Sequence, residues 1–202
     1  LPENIVFKNK LMKNYYFYFK FRVIAFIGLL FSGGVVWGQT TETFGYTGSV
    51  VDWTVPAGVN SVEIECWGAG GAGLGSNGSN SSGGGGGGAY AKKTLSVLPG
   101  QQYKFYVGKG GITAAWAILP VNGEKSYFKN FDESVTHALA EGGKSSVGAA
   151  GAAGGQAANS IGDIKNSGGN GFAGQGSGTG GGGGGGAAGP SGNGGTPAGT
   201  ST

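Results

Sequence analysis

One cysteine, one histidine and one methionine stand among 202 residues, and charged side chains make up only 11% of the chain. A single Cys66 excludes an internal disulfide framework, and His137 standing alone leaves no multi-His or Cys/His metal site. No window carries a helical period with start and stop signals, so helices are not expected. Prolines number six, and glycine does not recur at every third position, which excludes a collagen-type triple helix. No clean repeat period is present either, so a solenoid is not indicated. The sparse charge is also lopsided. Residues 1–38 hold five bases (Lys8, Lys10, Lys13, Lys20, Arg22) against Glu3, a balance of +4. From Gln39 onward eight lysines meet nine acids, a balance of −1. The net charge of +3 is therefore a property of the leader and does not point to a nucleic-acid partner.

That leader reads as an export signal. Met12 resembles a translation start, which makes residues 1–11 upstream sequence. Lys13, Lys20 and Arg22 form a basic n-region, and an apolar run follows from Val23 to Phe31. Val36 and Gly38 suit the −3 and −1 positions of a cleavage site, so residues 12–38 are expected to be removed and the product to begin at Gln39. A membrane anchor is the competing reading. The apolar stretch breaks at Gly33-Gly34, short of the ~20 residues a bilayer span needs. The expected product is secreted or held at the outer cell surface, touching a membrane only through its transient signal.

What the exported part has in abundance is glycine, 49 residues in the whole chain, with aromatics confined to one stretch. Between Thr40 and Phe131 stand twelve aromatic residues, whereas the seventy-one residues beyond contain only Phe172. Large apolar side chains supply most burial energy, so the core must form within about residues 39–141. Val62-Glu63-Ile64-Glu65-Cys66 alternates with period two, placing Val62, Ile64 and Cys66 on one face. Phe44 to Val55 reads as two short strands around Thr47-Gly48, and Pro56-Ala57-Gly58 as a turn. Tyr90–Val97 and Gln102–Val107 flank Pro99-Gly100 and predict a hairpin, with Tyr103, Phe105 and Val107 sharing a face. Weaker strand signals cover Lys125–Lys129 and Ser134–Ala140. The fold class predicted is all-β, a small antiparallel β-sandwich or jelly-roll-like core.

Glycine concentrates in an insertion at residues 68–88, ending in Gly83–Gly88, and in residues 142–189, which include Gly180–Gly186 and are expected to pack on the core or extend from it. Residues 190–202, polar and rich in Pro and Gly, read as a connector to further sequence. Two readings of the runs compete. As linkers they stay disordered, because ordering each residue costs ~1–2 kcal/mol and glycine buries no side chain. Alternatively, several runs lie side by side as extended three-residue-per-turn polyglycine II helices, their N–H and C=O groups bonded to neighbouring runs. Only glycine permits such close backbone approach.

Few motifs survive physical scrutiny. Gly68-Ala69-Gly70-Gly71-Ala72-Gly73 matches the dinucleotide pattern G-x-G-x-x-G, but Leu74-Gly75-Ser76-Asn77-Gly78 cannot start the helix whose amides would hold a pyrophosphate. Gly143-Lys144-Ser145 resembles the end of a phosphate loop, yet Ala138 stands where its first glycine belongs. Asp132, Glu133 and Glu141 read as solvated charges rather than an acid–base pair. His137 reads as an exposed or hydrogen-bonded strand residue, and Cys66 as a small buried hydrophobe. Asn77 and Asn80 head formal glycan sequons. Catalytic, cofactor-binding and metal residues are thus all expected to be absent.

The string Phe44…Trp53-Thr54-Val55-Pro56-Ala57-Gly58-Val59…Val62-Glu63-Ile64-Glu65-Cys66-Trp67-Gly68-Ala69-Gly70-Gly71 resembles the glycine-rich domain family of bacterial cell-surface proteins and phage tail adhesins. Gly87-Gly88-Ala89-Tyr90-Ala91, Leu98-Pro99-Gly100-Gln101, Tyr106 to Gly111, Ser126-Tyr127-Phe128 and Ala140 to Gly143 follow in the same order. A more distant similarity is to the glycine-rich ectodomain of the anaplastic lymphoma kinase receptors. The resemblance covers about residues 40–200, and the chain departs from it in the Ala-rich stretch Val147 to Asn159. It implies a β-sandwich bearing polyglycine helices, and adhesion or recognition of glycans or proteins rather than catalysis. A purely structural spacer, or an accessory domain of an extracellular hydrolase, are the alternatives.

Overall fold

The computed structural model of the protein describes residues 39–75, 81–113, 120–175 and 180–198. The export signal expected at 12–38, Trp116, and the sequon positions Asn77 and Asn80 lie outside the described residues.

Strands form where apolar and polar residues alternate. They are β1 (Val51–Thr54), β2 (Ser61–Trp67), β3 (Tyr90–Ser96), β4 (Gln102–Tyr106), β5 (Ser126–Asn130), β6 (Thr136–Ala140) and β7 (Ile164–Asn166), with a 3-10 turn at Ala157–Asn159. Two antiparallel sheets result, one in the order β1-β4-β5-β6 and the other β2-β3-β7. Between them lie Cys66 and Ala91 from the second sheet and Tyr103, Phe105, Phe128, Ala138 and Ala140 from the first. Val62, Ile64 and Leu95 close the rim of this core. Phe128 is the hub of a ring cluster, 4.9 Å from Tyr103 and 5.9 Å from Trp53 between centroids. Burying such a ring is worth ~1.5–3 kcal/mol. The all-β sandwich and the shared faces of Val62/Ile64/Cys66 and Tyr103/Phe105/Val107 are as the alternation predicts.

Two expectations need correction. Only β1 forms in the Phe44–Val55 stretch; Phe44 packs its ring 4.5 Å from Phe105 without entering a strand. Pro99-Gly100 does make a turn, with Gly100 at φ +81° and its N–H bonded to Val55 O, but not a hairpin. β3 belongs to one sheet and β4 to the other, so the turn is a crossover between layers. Turn chemistry encodes a reversal; which partner the next strand meets depends on facing Tyr103 and Phe105 toward Ala91 and Cys66. The glycine-rich half also contributes a strand. β7 comes from the glycine-rich half, and Asn166, Lys165 and Ile164 pair with Tyr90, Ala91 and Lys92. Residues beyond Pro190 bond to the same array. Gly194 N–H bonds Ser167 O, Gly195 O accepts from Gly186 N–H, and Asn193 Oδ1 accepts from Ser167 N–H.

The glycine runs are ordered against one another. Gly83–Gly88 is buried throughout and threads the middle of a bundle of extended segments. Its carbonyls address neighbours in strict rotation. Ser82, Gly85 and Gly88 accept from Gly182, Gly185 and Ala188; Gly83, Gly86 and Ala89 accept from Leu74, Gly71 and Gly68; Gly84 and Gly87 accept from Ala152 and Gly155. Donors rotate likewise: Gly83, Gly86 and Ala89 bond Gly148, Lys144 and Glu141, while Gly84 and Gly87 bond Phe172 and Gly169. These N···O distances run from 2.7 to 3.3 Å. A partner that recurs every third residue is the signature of a three-residue turn, here with every bond made between segments. Both predicted runs thus lie in direct contact, and the Ala-rich stretch at 149–155 joins the same array.

Candidate functional site

A Cβ added anywhere from Gly83 to Gly88 would meet a neighbouring carbonyl far closer than 3.0 Å. None of these glycines has positive φ, so close approach rather than left-handed backbone demands the residue type. In the surrounding segments the side chains that turn inward are small ones, such as Ser145, Ser146 and Ala152. Glu141, Lys144 and Val147, Ala150 and Ala153, and Asn170 and Ala173 obey this three-residue spacing, and all are exposed or half-exposed. Residue type alone does not mark these faces, since buried Ser145, Ser146 and Ala152 stand between them.

The tempting motifs fall into this scaffold. Gly68 to Gly73 is extended, and its Gly71 N–H is bonded to Gly86 O rather than free for a phosphate. In Gly143-Lys144-Ser145 each amide is already spoken for, by Ala69 O, Ala153 O and Asn122 Oδ1 respectively. Ser145 Oγ bonds Val121 O at 2.6 Å and accepts from Ala72 N–H.

Nor are the acids brought together. Asp132 and Glu133 sit in the β5–β6 turn and Glu141 follows the far end of β6, about 15–20 Å away by strand rise. Asp132 accepts from Ser134, which lowers its carboxyl pKa. Glu133 faces Lys104 at 3.5 Å and Lys129 at 3.7 Å. Burial raises the Glu141 pKa, but bonds from Gln156 N–H and Asn159 and the nearby Lys144 ammonium outweigh it, for a net lowering. Glu141 is an anchor for the array.

His137 is neither fully exposed nor an evident hydrogen-bonding residue. Its ring stands edge-on to Tyr103, with centroids 5.8 Å apart, and burial followed by the Lys93 charge lowers its pKa. Cys66 is buried, and desolvation pushes its thiol up to about 12, as befits a small hydrophobe.

A different surface gathers chemistry that the sequence did not announce. On the first sheet, Phe105 and Phe128 point inward, so their neighbours Tyr106 and Tyr127, paired in register, point out. Their ring centroids are 5.6 Å apart. With Ser49, Val50, Glu124 and Lys125 they line an open recess of about 500 Å³. Tyr106 O–H donates to Glu124 Oε2, which also accepts from Lys109 N–H at 2.9 Å. These bonds lower the Glu124 pKa, and the same contact pushes the Tyr106 phenol up to about 12. Both donors converge on Oε2, and no bond among the described residues engages Oε1. Strand pairing across β4 and β5 assembled this group, and no local spacing in the sequence reports it.

A family model described as a glycine-rich domain matches residues 40–202. No curated protein matches the chain.

Proposed function

The chain belongs to the glycine-rich domain family, and from that premise we propose that it is a non-enzymatic module, exported and displayed for recognition of glycans or proteins. The observation that carries this reading is the array itself. A central run without side chains, bonded in three directions, makes a stiff base, and the flanking segments turn residues such as Lys144, Ala153 and Asn170 outward. Rigid scaffolds bearing surface groups suit binding, because little ordering entropy is lost on contact. The absence of catalysis is supported by the use of the candidate groups: Glu141, Glu133, Asp132 and Ser145 hold structure, and Cys66 lies in the core. Export is supported by the leader composition alone.

Immobilised arrays of glycans and extracellular proteins, probed with the tagged chain, test the proposal. Saturable binding to one class is the expected result. No binding on either array would leave a structural spacer as the better reading. N-terminal sequencing of exported product should begin at or near Gln39, and an intact Met12 there would refute the leader assignment.

A further inference from the structure

We infer that the recess between Ser49, Tyr106, Glu124 and Tyr127 is a subsite for one uncharged pyranose ring of a glycan. This rests on the recognition reading above and gives it a place and a ligand class.

Size admits it, since about 500 Å³ falls within the ~300–1,000 Å³ of small-ligand sites. The lining combines two surfaces that a sugar requires. Tyr106 and Tyr127 present aromatic carbon on the outer sheet face, complementary to the C–H faces of a pyranose. Ser49 and Lys125 supply hydrogen-bonding groups at the edge. Glu124 supplies a carboxylate already fixed in orientation through Oε2, which leaves Oε1 to accept from ligand hydroxyls. An acceptor held in place before binding loses little entropy when the ligand arrives.

Charge selects among ligands. A cation drawn to Glu124 would also meet Lys125 in the lining and Lys129, whose ammonium lies 4.7 Å over the Tyr127 ring. An anion would meet Glu124 itself. A neutral, hydroxyl-rich ring escapes both penalties.

The test is an NMR titration of the 15N-labelled chain with methyl glycosides of glucose, galactose, mannose and N-acetylglucosamine. Sialyllactose and a lysine oligopeptide serve as anionic and cationic probes. At least one neutral glycoside should shift the amides of Tyr106, Lys125 and Tyr127 saturably. Tyr127→Ala should weaken it about tenfold or more, as truncating an aromatic anchor does. Should that variant unfold, Glu124→Gln decides. Its amide oxygen keeps the bonds to Tyr106 and Lys109, while a donor replaces the free acceptor, so folding is retained and affinity drops by a similar factor.

Wild-type affinity in Glu124→Gln, or preference of the recess for sialyllactose or the lysine peptide, overturns the assignment. Glycan binding that shifts only amides of the glycine array overturns the subsite and leaves recognition standing. Silence on both immobilised arrays removes recognition and the subsite together.

Discussion

Gly83–Gly88 and Gly180–Gly186 are the same polymer in two settings. The first is buried at every residue, and each of its six positions would drive a Cβ into a neighbouring backbone. The second is buried on one side only. Gly182 and Gly185 face the array, where a Cβ would strike the backbone at Phe172 and Gly169. Gly183 faces Pro197, its nearest contacts 3.0 and 3.2 Å away, and Gly184 has only Gly85 O, at 3.7 Å. The pattern follows the three-residue turn, which gives the outer run one lattice face in three. A glycine's importance here is set by what lies beside it, and the run sequence alone treats all positions alike.

The largest effect should come from the buried run. Gly85→Val places a branched carbon against Gly71 and Ala72, overpacking worth about 3 kcal/mol. That corresponds to a melting temperature lower by about 6–12 °C in a domain of this size. A calorimetric scan within ~2 °C of wild type would mean that the central run is not held as described.

Acid should loosen the same region next. Glu141 anchors the segment whose Lys144 carbonyl accepts from Gly86 N–H. Its folded pKa is lowered, so its contribution is full above the unfolded carboxylate value of ~4.3 and is lost as pH falls through the folded value. Glu141→Gln should cost about 1 kcal/mol at neutral pH and flatten the acid limb of stability. An unchanged dependence of melting temperature on pH between 3 and 6 would remove that anchoring role.

Smaller still is Gly183→Val, which asks only Pro197 to yield. A loss of about 1 kcal/mol or less, about 2–4 °C, is expected. A drop matching Gly85→Val would mean that the two runs are equivalent, against the geometry. Gly184→Ala reverses the sign. With an open Cβ position and no positive φ, removing glycine's freedom in the unfolded chain should stabilise by about 0.4–1 kcal/mol. A melting temperature below wild type would show that the outer face is covered in solution.

Legibility divided along the same line. Local alternation placed Val62, Ile64 and Cys66 on one face, and Pro/Gly signals marked turns at Gly58 and Gly100, where φ is positive. Pairing was not local. β7 carries the pattern Ile164-Lys165-Asn166, exposed or half-exposed throughout, too short for periodicity to register. Its place beside β3 comes from the chain returning along the array. The recess was likewise invisible, since Tyr106, Glu124 and Tyr127 meet through a strand pair and a backbone bond from Lys109.

By itself, the sequence determined the materials: one aromatic-rich stretch able to bury a core, and runs that lack Cβ atoms and so permit backbones to touch. It did not mark the outward turns, because buried Ser145 and Ser146 stand directly beside exposed Lys144. Tertiary structure alone decided which run became the centre, which strands shared a sheet and which surface residues met. The reason is physical. An α-helix closes its hydrogen bonds within itself, so its residues declare it; a three-residue-turn helix or a strand satisfies its amides only on neighbours, and its place is settled when those neighbours arrive.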